Sequence, residues 1–313
     1  MKLSIIVPVY NEEMNISPFV TRMKDVIKEI GCDYEILFSM DPSKDQTEKI
    51  ILDMRKQDPK IKLLKMSRRF GQPACTIAGL HYCTGDACVV IDVDLQDPPE
   101  LAKEMVVKWK EGYDVVYAQR TSRKGETFIK NIVSFFGYWL IDKVSEISIP
   151  RNTGDFRLLS RRVIEHLKKL KEREAFLRGL TAYVGFNQTA VKYHREPRLS
   201  GQGKYNRFLG SLYIGLNGLI GFSKYPLHLI SIMGLIISLS SFFVGFGYLF
   251  LKLINYDIKW GNPTLIILFS FLSGVQLLSL GIMAEYFARI YDEIKGRPAF
   301  IVQDAHGLNE PNT

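Results

Sequence analysis

The residues best suited to chemistry lie in a short acidic segment that follows an apolar run. Asp92 and Asp94 are separated by one residue, and Gln96 follows two positions later in the segment IDVDLQDPPE. Carboxylates paired on a turn can hold a hard divalent cation such as Mg²⁺ or Mn²⁺, with an amide oxygen as a further ligand. Such a cation can neutralise the charge that develops on a departing diphosphate. The segment therefore predicts a metal-assisted reaction of a phosphorylated substrate.

Alternating apolar strands and helices must position these side chains. Five strands are predicted, over residues 3–9, 34–40, 61–66, 87–92 and 114–119. Four helices are predicted to alternate with them, over residues 18–30, 46–57, 72–82 and 99–111. Asn15 or Ser17 is expected to cap the first helix, with Pro18 in its first turn. This alternation indicates βαβ units, so we expect an α/β, Rossmann-like fold with a mostly parallel sheet.

The candidate site lies where the predicted strands end, because ligands of parallel sheets bind beyond the carboxyl ends of the strands. Aromatic, acidic and basic side chains fall at those ends: Tyr10, Asp41, Ser67–Arg69, Asp92–Gln96 and Arg120. An aromatic face, an acid for a ribose and a metal for phosphates are what a nucleoside diphosphate sugar requires.

Two long apolar stretches follow residue 225, whereas residues 1–200 have the composition of an ordinary α/β domain. Residues 226–254 and 263–288 each exceed the roughly 20 residues that cross a bilayer core, and a short loop joins them. Basic residues flank the pair on both outer sides, which predicts that both ends are cytoplasmic. We therefore expect a multi-pass protein of the cell inner (cytoplasmic) membrane, with its catalytic domain and both termini in the cytoplasm. A buried hairpin of a soluble protein is the alternative.

The expected domain organisation follows from these stretches. Residues 1–200 form the catalytic domain, 201–225 an amphipathic helix at the membrane interface, 226–290 the two transmembrane helices and 291–313 a cytoplasmic tail. Residues 128–147 are amphipathic and rich in aromatic side chains. They predict either a helix that faces the core or one that lies on the membrane surface.

The chain of 313 residues carries a formal net charge of +8, which suits nucleic acid, anionic lipid or a phosphorylated substrate. Nucleic acid is disfavoured as a partner because two spans would tie the basic surface to a bilayer. The four cysteines form no CxxC pair and have no histidine at zinc-ligand spacing, so they are expected to be buried thiols: Cys32, Cys75, Cys83 and Cys88.

Several motifs together resemble one family. They are VPVYNEE, Asp41 in a loop with Asp45, SRRFGQ, IDVDLQDPPE, TGDFRLLSR and the final apolar hairpin. This combination resembles the polyprenyl-phosphate glycosyltransferases of family 2, which are inverting enzymes with a GT-A fold. It is most similar to the bacterial bactoprenol glucosyltransferases, and dolichyl-phosphate mannose synthases are more distant. The resemblance covers almost the whole chain.

The resemblance implies an activity and its partners. A sugar, with UDP-glucose as the first choice of donor, would pass with inversion to polyprenyl (undecaprenyl) phosphate. The product would be a polyprenyl monophosphate sugar for cell-envelope glycan modification, and a separate flippase would act downstream. UDP-N-acetylglucosamine, UDP-galactose and GDP-mannose remain alternative donors.

The resemblance also implies roles for individual residues on the donor side. The base and ribose would contact Pro8, Tyr10, Glu12 and Asp41. The loop after the third strand would shape the donor pocket through Arg68, Phe70 and Gly71. Asp92 would hold the nucleotide-sugar, while Asp94 and Gln96 would bind Mg²⁺ or Mn²⁺. Plain packing is the alternative for Pro8 and Phe70.

On the acceptor side, Asp155 matches the acid of the family. A phosphate acceptor is already ionised near neutral pH, so we expect Asp155 to orient groups, with proton removal as a secondary role. The alternative is an N-cap or Asx turn before residues 156–168. The acceptor phosphate or donor diphosphate is expected to bind basic side chains, since a guanidinium binds phosphate bidentately: Arg120, Arg123, Arg198 and Lys204. A basic face attracted to anionic lipid is the alternative.

Two departures from the family pattern bear on the site. Residues 40–43 read MDPS where relatives have DDGS, which changes the expected ribose and base contacts, and Gly203 stands where Ser is common. A transferase with a saccharide acceptor, a non-enzymatic nucleotide-sugar sensor and a small transporter are the competing functions. Glycines in the spans offer close helix contacts for a homo-oligomer, with a tetramer as one candidate: Gly245, Gly247, Gly274 and Gly281.

Overall fold

A computed structural model describes residues 1–121, 150, 152–170, 172, 176–194, 223–254 and 262–308. These residues form two compact units. The first holds the residues before 195 together with those from Arg297 onward, and the second holds Ser223 to Gly296. The predicted amphipathic helix over 128–147 and nearly all of the predicted interfacial segment 201–225 lie outside the described residues.

One eight-stranded sheet forms the centre of the first unit, in the order β7-β5-β6-β4-β1-β2-β3-β8. The strands are β1 (Lys2–Val9), β2 (Asp33–Met40), β3 (Ile61–Met66), β4 (Ala87–Val90), β5 (Val115–Arg120), β6 (Thr153–Ser160), β7 (Gln188–Tyr193) and β8 (Val302–His306). Six strands run in one direction, while β6 and β8 run antiparallel to their neighbours. The predicted α/β fold with a mostly parallel sheet is confirmed.

Helices connect the parallel strands. Those of the first unit are α1 (Glu13–Ile30), α2 (Thr47–Gln57), α3 (Gln72–Tyr82), α4 (Leu101–Lys110), α5 (Arg161–Leu167) and α6 (Leu177–Val184). The central strands are buried along nearly their whole length, as in β1 from Leu3 to Val9, because helices cover the sheet. Helix α1 presents apolar residues three and four positions apart, and its Phe19 packs edge-on against Phe38 with ring centroids 6.4 Å apart.

The start of α1 differs from the prediction. The helix begins at Glu13, which places Pro18 inside it, and neither Asn15 nor Ser17 is its cap. Neighbouring residues satisfy the N–H groups of the first turn: Glu12 N donates to Thr47 Oγ1 at 2.9 Å and Glu13 N donates to Asp45 Oδ2 at 3.2 Å. Tertiary contacts therefore replace the local cap on which the prediction relied.

The C-terminal segment also differs from the predicted tail. Residues 302–306 form β8, which pairs antiparallel with β3 from Leu63↔His306 to Met66↔Val302. Only a pairing between residues more than 200 positions apart creates this strand, so local pattern gave no sign of it. The chain thus returns to the edge of the sheet after its second long apolar helix.

The second unit contains two long apolar helices, α7 (Tyr225–Leu253) and α8 (Asn262–Ile294). Within them, Tyr225–Gly247 and Leu265–Ile294 are long and apolar enough to cross a membrane. Large apolar side chains such as Phe242 and Phe269 are exposed, and none of the apolar windows is buried within the described residues. The hydroxyl of Tyr286 donates to the carbonyl of Ser223 at 2.7 Å, which ties α8 to the residues just before α7.

The buried carboxylate of Glu35 links β1, β3 and the connection before β4, at the end of the sheet away from the candidate site. Glu35 accepts hydrogen bonds from Lys62 Nζ and Ser4 Oγ and from the backbone N–H of Thr84. Its side chain is only 1% exposed. Burial opposes ionisation, but these hydrogen bonds outweigh it and lower the pKa of Glu35 to about 2.

Replacing Glu35 with glutamine is expected to lower the free energy of unfolding at pH 7 by about 3 kcal/mol. This is the free energy that follows when folding lowers the pKa of a carboxyl group from 4.5 to about 2. A depressed carboxyl pKa stabilises the fold above the pKa of the unfolded state, and that contribution is lost as pH falls towards 2. Thermal unfolding in detergent at a series of pH values measures it. The gap between wild type and Glu35→Gln should close between about pH 4.5 and 2. Glu29→Gln is the control, because it removes an exposed ion pair with Lys103 and should change Tm little. A similar drop in Tm in both variants would contradict the stabilising role of the Glu35 carboxylate.

Candidate active site

The candidate site occupies one edge of the sheet. The six parallel strands all end there, and the antiparallel strands β6 and β8 begin there. This arrangement brings together residues that are distant in sequence and that lie near the ends of the parallel strands or the start of β6: Tyr10, Asp41, Ser67, Asp92, Arg120, Asp155 and Tyr193. The predicted gathering of strand-end residues at one edge is confirmed by this topology.

The acidic segment leaves β4 in an alternating conformation. Asp92, Asp94 and Gln96 are partly exposed, whereas Val93 and Leu95 between them are buried. Leu95 adopts a φ of 57°, in the left-handed region that a branched side chain rarely occupies. Such backbone strain persists where surrounding structure fixes it, and it is concentrated at functional sites. The buried alternate positions thus anchor a turn that presents three oxygen-bearing side chains on one face.

The oxygen-bearing side chains suit a divalent cation. Asp94 Oδ1 accepts a hydrogen bond from the backbone N–H of Gln96 at 3.2 Å, which fixes the turn, and Asp92 Oδ1 accepts from Gln72 Nε2 at 2.7 Å. No group of three His, Cys, Asp or Glu side chains that could hold a metal occurs in the described residues. Mg²⁺ typically binds one or two carboxylates and takes its remaining ligands from substrate phosphates and water. The residues present therefore fit a cation that arrives with a diphosphate.

The loops after β1 and β2 lock together beside this turn. Asn11 N donates to Ser43 Oγ at 3.0 Å, and Asn11 Oδ1 accepts from Lys44 N at 2.8 Å. Ser43 Oγ also donates to the carbonyl of Asp41 at 3.1 Å. The unusual DPS sequence at residues 41–43 is thus held by its own serine and by the neighbouring loop. Glu12 Oε2 accepts from Asn15 Nδ2 at 2.6 Å.

Asp41 is buried, and its carboxylate organises the loop that follows β3. Its Oδ1 accepts from the backbone N–H of Phe70 at 3.0 Å, and its Oδ2 accepts from that of Gly71 at 2.8 Å. Gly71 has a φ of 94°, a conformation that glycine adopts without steric cost. We name residues 67–72 the β3–α3 loop. The predicted contact of Asp41 with the nucleotide remains a prediction, and its observed partners place it against this loop.

The β3–α3 loop reaches two further parts of the site. The guanidinium of Arg69 stacks over the ring of Tyr10 at 4.4 Å from its centroid, and that of Arg68 stacks over Phe70 at 4.0 Å. Gln72 then contacts Asp92 as described above. The loop therefore touches the ends of β1, β2 and β4. Pro8 is buried within β1, where it lies opposite Ser39 of β2, in keeping with the packing alternative.

Arg120 is held by a buried hydrogen-bonded group at the end of β5. Its Nε donates to the Tyr193 hydroxyl at 3.0 Å, its Nη2 lies 3.6 Å from Asp97 Oδ2, and the Tyr193 hydroxyl donates to Asp97 Oδ1. Burial lowers the pKa of Arg120, but Asp97, Tyr193 and Asp92 outweigh it and raise the value. Burial also raises the pKa of Tyr193, and Asp97 raises it further, to about 12. Arg120 is therefore a fixed cation beside the acidic turn.

Glycine at position 154 leaves room for that cation. A Cβ there would lie 2.9 Å from Arg120 Nη2 and 3.9 Å from Asp97 Oδ2. A side chain at this position would displace the guanidinium from its partners. The first residues of β6 are thus fitted closely to Arg120.

Asp155 lies near the start of β6 and pairs with a residue on α6. Its Oδ1 accepts from Arg178 Nε at 2.9 Å. Burial opposes ionisation, but Arg178, Arg157 and Arg120 lower the pKa of Asp155 below its ordinary value. The alternative in which Asp155 caps a helix is wrong, because residue 155 lies in a strand and Ser160 caps α5. A carboxylate with a depressed pKa is better suited to orienting groups than to removing a proton.

Arg157 fixes α6 relative to this carboxylate. Its side chain is buried, and it donates to the carbonyl of Gly154 at 2.8 Å and to Thr181 Oγ1 on α6. Desolvation lowers the pKa of Arg157 to about 10. Because α6 carries Arg178, this buried contact positions the partner of Asp155.

Three predicted phosphate-binding residues lie outside the described residues: Arg123, Arg198 and Lys204. Four residues that sequence reasoning did not single out lie in the site: Gln72, Asp97, Arg178 and Tyr193. Gln72 and Asp97 lie within the motifs SRRFGQ and IDVDLQDPPE, so their place in these motifs was the available signal. Tyr193 and Arg178 carry no local signal, since only the position of β7 and the packing of α6 bring them to the site.

Comparisons with known proteins match this chain to a family model, to several curated proteins and to solved structures. The model of Glycosyl transferase family 2 matches residues 4–168. The uncharacterized glycosyltransferase YkcC of Bacillus subtilis is 46% identical over 308 residues, covering 98% of this chain and 95% of that protein. The SfII prophage-derived bactoprenol glucosyl transferase of Shigella flexneri is 38% identical, covering 99% and 100%. Mannosyl-3-phosphoglycerate synthase from Rubrobacter xylanophilus is 14% identical with a TM-score of 0.47, covering 70% of this chain and 72% of that one.

Proposed function

The chain belongs to glycosyltransferase family 2, and on this basis we propose that it transfers a hexose from a nucleotide-sugar to a polyprenyl phosphate at the cytoplasmic face of a membrane. One observation carries the proposal. The acidic turn Asp92–Gln96 and the fixed cation of Arg120 meet at one sheet edge, in a chain that also has two helices long and apolar enough to cross a bilayer. The first feature suits a nucleoside diphosphate, and the second suits an acceptor dissolved in lipid.

UDP-glucose and undecaprenyl phosphate are the proposed substrates. Relatives named bactoprenol glucosyl transferase match 97–99% of the chain at 36–38% identity, which supports glucose as the sugar and a polyprenyl acceptor. Identity at this level does not select among hexoses, because one hydroxyl contact can change donor preference. UDP-galactose, UDP-N-acetylglucosamine and GDP-mannose are therefore included in the test below.

The proposed reaction is a direct displacement with inversion. An oxygen of the lipid phosphate forms a bond with the anomeric carbon as the bond from that carbon to the nucleoside diphosphate breaks. A divalent cation held by Asp94 and Gln96 would stabilise the negative charge on the leaving diphosphate. Arg120 adds a positive charge whose orientation is already fixed, so little reorganisation is needed during the reaction.

Asp155 is proposed to orient the acceptor side of the site. The phosphate nucleophile is largely ionised at neutral pH, so the reaction needs no strong base. The lowered pKa of Asp155 keeps it ionised in the same range, and its bond to Arg178 aligns that guanidinium. The guanidinium of Arg178 can donate hydrogen bonds to phosphate oxygens, while the carboxylate of Asp155 accepts a hydrogen bond from a hydroxyl of the sugar.

The basic residues that flank the helix pair on both outer sides favour a cytoplasmic position for both of its ends. A homo-oligomer and a separate downstream flippase complete the proposal.

Transfer of labelled sugar into an organic-extractable lipid tests the proposal. The full chain in detergent, with undecaprenyl phosphate and Mn²⁺, is expected to label lipid from UDP-glucose more rapidly than from the other three donors. Dolichyl phosphate serves as the acceptor control, and undecaprenol without phosphate serves as the blank. Binding of UDP without lipid labelling from any donor would contradict the acceptor, and label in a saccharide instead would favour a polysaccharide-building transferase.

A further inference from the structure

The segment that follows the second apolar helix touches the β3–α3 loop directly. The backbone N–H of Ser67 donates to the carbonyl of Ile301 at 2.9 Å, immediately beyond the pairing of Met66 with Val302. The register of β8 against β3 shifts at Lys65 and Met66, so the strand bends just as it reaches the loop. Residues 300–302, which we name the return segment, therefore form one side of the loop's first turn.

Apolar packing extends the same contact. Phe300 and Val302 pack against a small core of five buried residues: Leu37, Leu64, Met66, Cys75 and Ala78. Phe70 of the β3–α3 loop packs against that core from the loop side. Phe300 also meets the ring of His81 on α3 edge-on, with centroids 5.5 Å apart. The return segment and the loop thus share one apolar support.

The loop so supported also contacts residues at the ends of β1, β2 and β4. On its far side its Phe70 and Gly71 amides bind Asp41, Arg69 covers Tyr10, and Gln72 reaches Asp92. Because the loop is only six residues long, a displacement of its first turn by about 1 Å would shift its contacts with Asp41, Tyr10 and Asp92. Misplacements of this size can change rates about 100-fold in enzyme sites.

We propose that the return segment is a positioning element of the donor site, in which Phe300 and the Ile301 carbonyl hold the β3–α3 loop in the conformation that receives the nucleotide-sugar. This inference rests on the proposed function, because it takes the loop to face the donor. Strand β8 does more than cover the edge of the sheet, since an edge cover needs only the pairs from Leu63 to Lys65. The additional contacts lie at the loop itself.

Kinetics with matched variants test the proposal. Phe300→Ala in the full chain is expected to raise the KM for the nucleotide-sugar about 10-fold, with kcat and the KM for the lipid acceptor changed less than about twofold. Ile301→Ala is the matched control, because the Ile301 side chain is 50% exposed and the substitution keeps the backbone carbonyl that binds Ser67. Equal donor KM values in Phe300→Ala, Ile301→Ala and wild type would overturn the proposal.

Amide hydrogen exchange provides a readout independent of turnover. Peptides covering residues 67–72 should exchange faster in Phe300→Ala than in Ile301→Ala, while peptides from β1 and β2 exchange equally in both. If Phe300→Ala fails to fold, Phe300→Leu retains most of the apolar packing and carries the same comparison with a smaller expected increase. Faster exchange across the whole sheet would mean a purely structural role and would contradict the inference.

The two proposals fail in distinguishable ways. Binding of UDP with Mn²⁺ to the wild type, without sugar transfer, would contradict the proposed acceptor. The role of the return segment could still be tested by comparing the UDP affinity of the wild type with that of Phe300→Ala. A tenfold weaker UDP affinity in Phe300→Ala would then still support the positioning role. Unchanged UDP affinity together with unchanged exchange in residues 67–72 would refute it, even in an enzyme fully active on lipid phosphate.

Discussion

Replacing Asp94 with alanine is expected to lower kcat/KM for sugar transfer roughly 10³-fold, the scale reported for loss of a group that stabilises transition-state charge. The carboxylate lies on the partly exposed face of a turn whose buried positions, Val93 and Leu95, keep its shape. Removing the side chain should therefore remove the proposed metal ligand with little change in fold. The charge on the leaving diphosphate would then lack the divalent cation, and Arg120 would remain as a fixed positive charge beside it.

Initial rates of lipid labelling against Mn²⁺ concentration measure this effect. In the variant, activity should stay low at every concentration of metal, while thermal stability remains close to that of the wild type. Asp53→Ala is the matched control, because Asp53 is an exposed carboxylate on α2 that pairs with Lys56 of the same helix at 2.7 Å. Unchanged turnover and metal dependence in Asp94→Ala would refute the metal role of Asp94.

Arg120→Ala is expected to lower kcat/KM roughly 10²–10³-fold, since it removes a preorganised cation from beside the acidic turn. Arg120→Lys should recover little, because a single ammonium cannot contact Tyr193 and Asp97 while also presenting a planar fork to phosphate. Tyr193→Phe removes one hydrogen bond from the guanidinium and from Asp97 and should cost about 10-fold, mainly in kcat.

A double-mutant cycle separates positioning from general destabilisation. If Tyr193 acts through Arg120, the Tyr193→Phe change should cost little in the Arg120→Ala background. The pKa of Tyr193, near 12, keeps its hydroxyl protonated, so the rate should not change between pH 7 and 9 through this residue. Additive effects of the two changes, or a loss of rate in Tyr193→Phe that follows its loss of Tm, would contradict the positioning role.

Much of the fold follows from local pattern. The bounds of β3 and α3 agree with those predicted, since each apolar run is short and has clear ends. The α/β architecture with a mostly parallel sheet is confirmed with them. The acidic turn was also evident, because DxDxQ after an apolar run has few purely structural explanations. These elements depend on residues close together in sequence.

What local pattern missed depends on pairing between distant residues. Strand β6 is antiparallel to both β4 and β5, and only this arrangement brings Asp155 towards Arg120. Tyr193 reaches Asp97 across 96 positions of sequence. Asp41 was expected to contact ribose from the family pattern, whereas its carboxylate binds two loop amides that no spacing rule would connect to it. Side-chain partners of this kind are set by topology.

The late position of β8 in the chain has a consequence for synthesis. A ribosome makes β1 to β7 and both apolar helices before it reaches residue 302, so the nascent domain exposes the unpaired edge of β3 for all of that time. Completion of the sheet is thereby delayed until both apolar helices have been made. In the proposed membrane enzyme, the helix pair would therefore be able to enter the bilayer before the last strand pairs with β3.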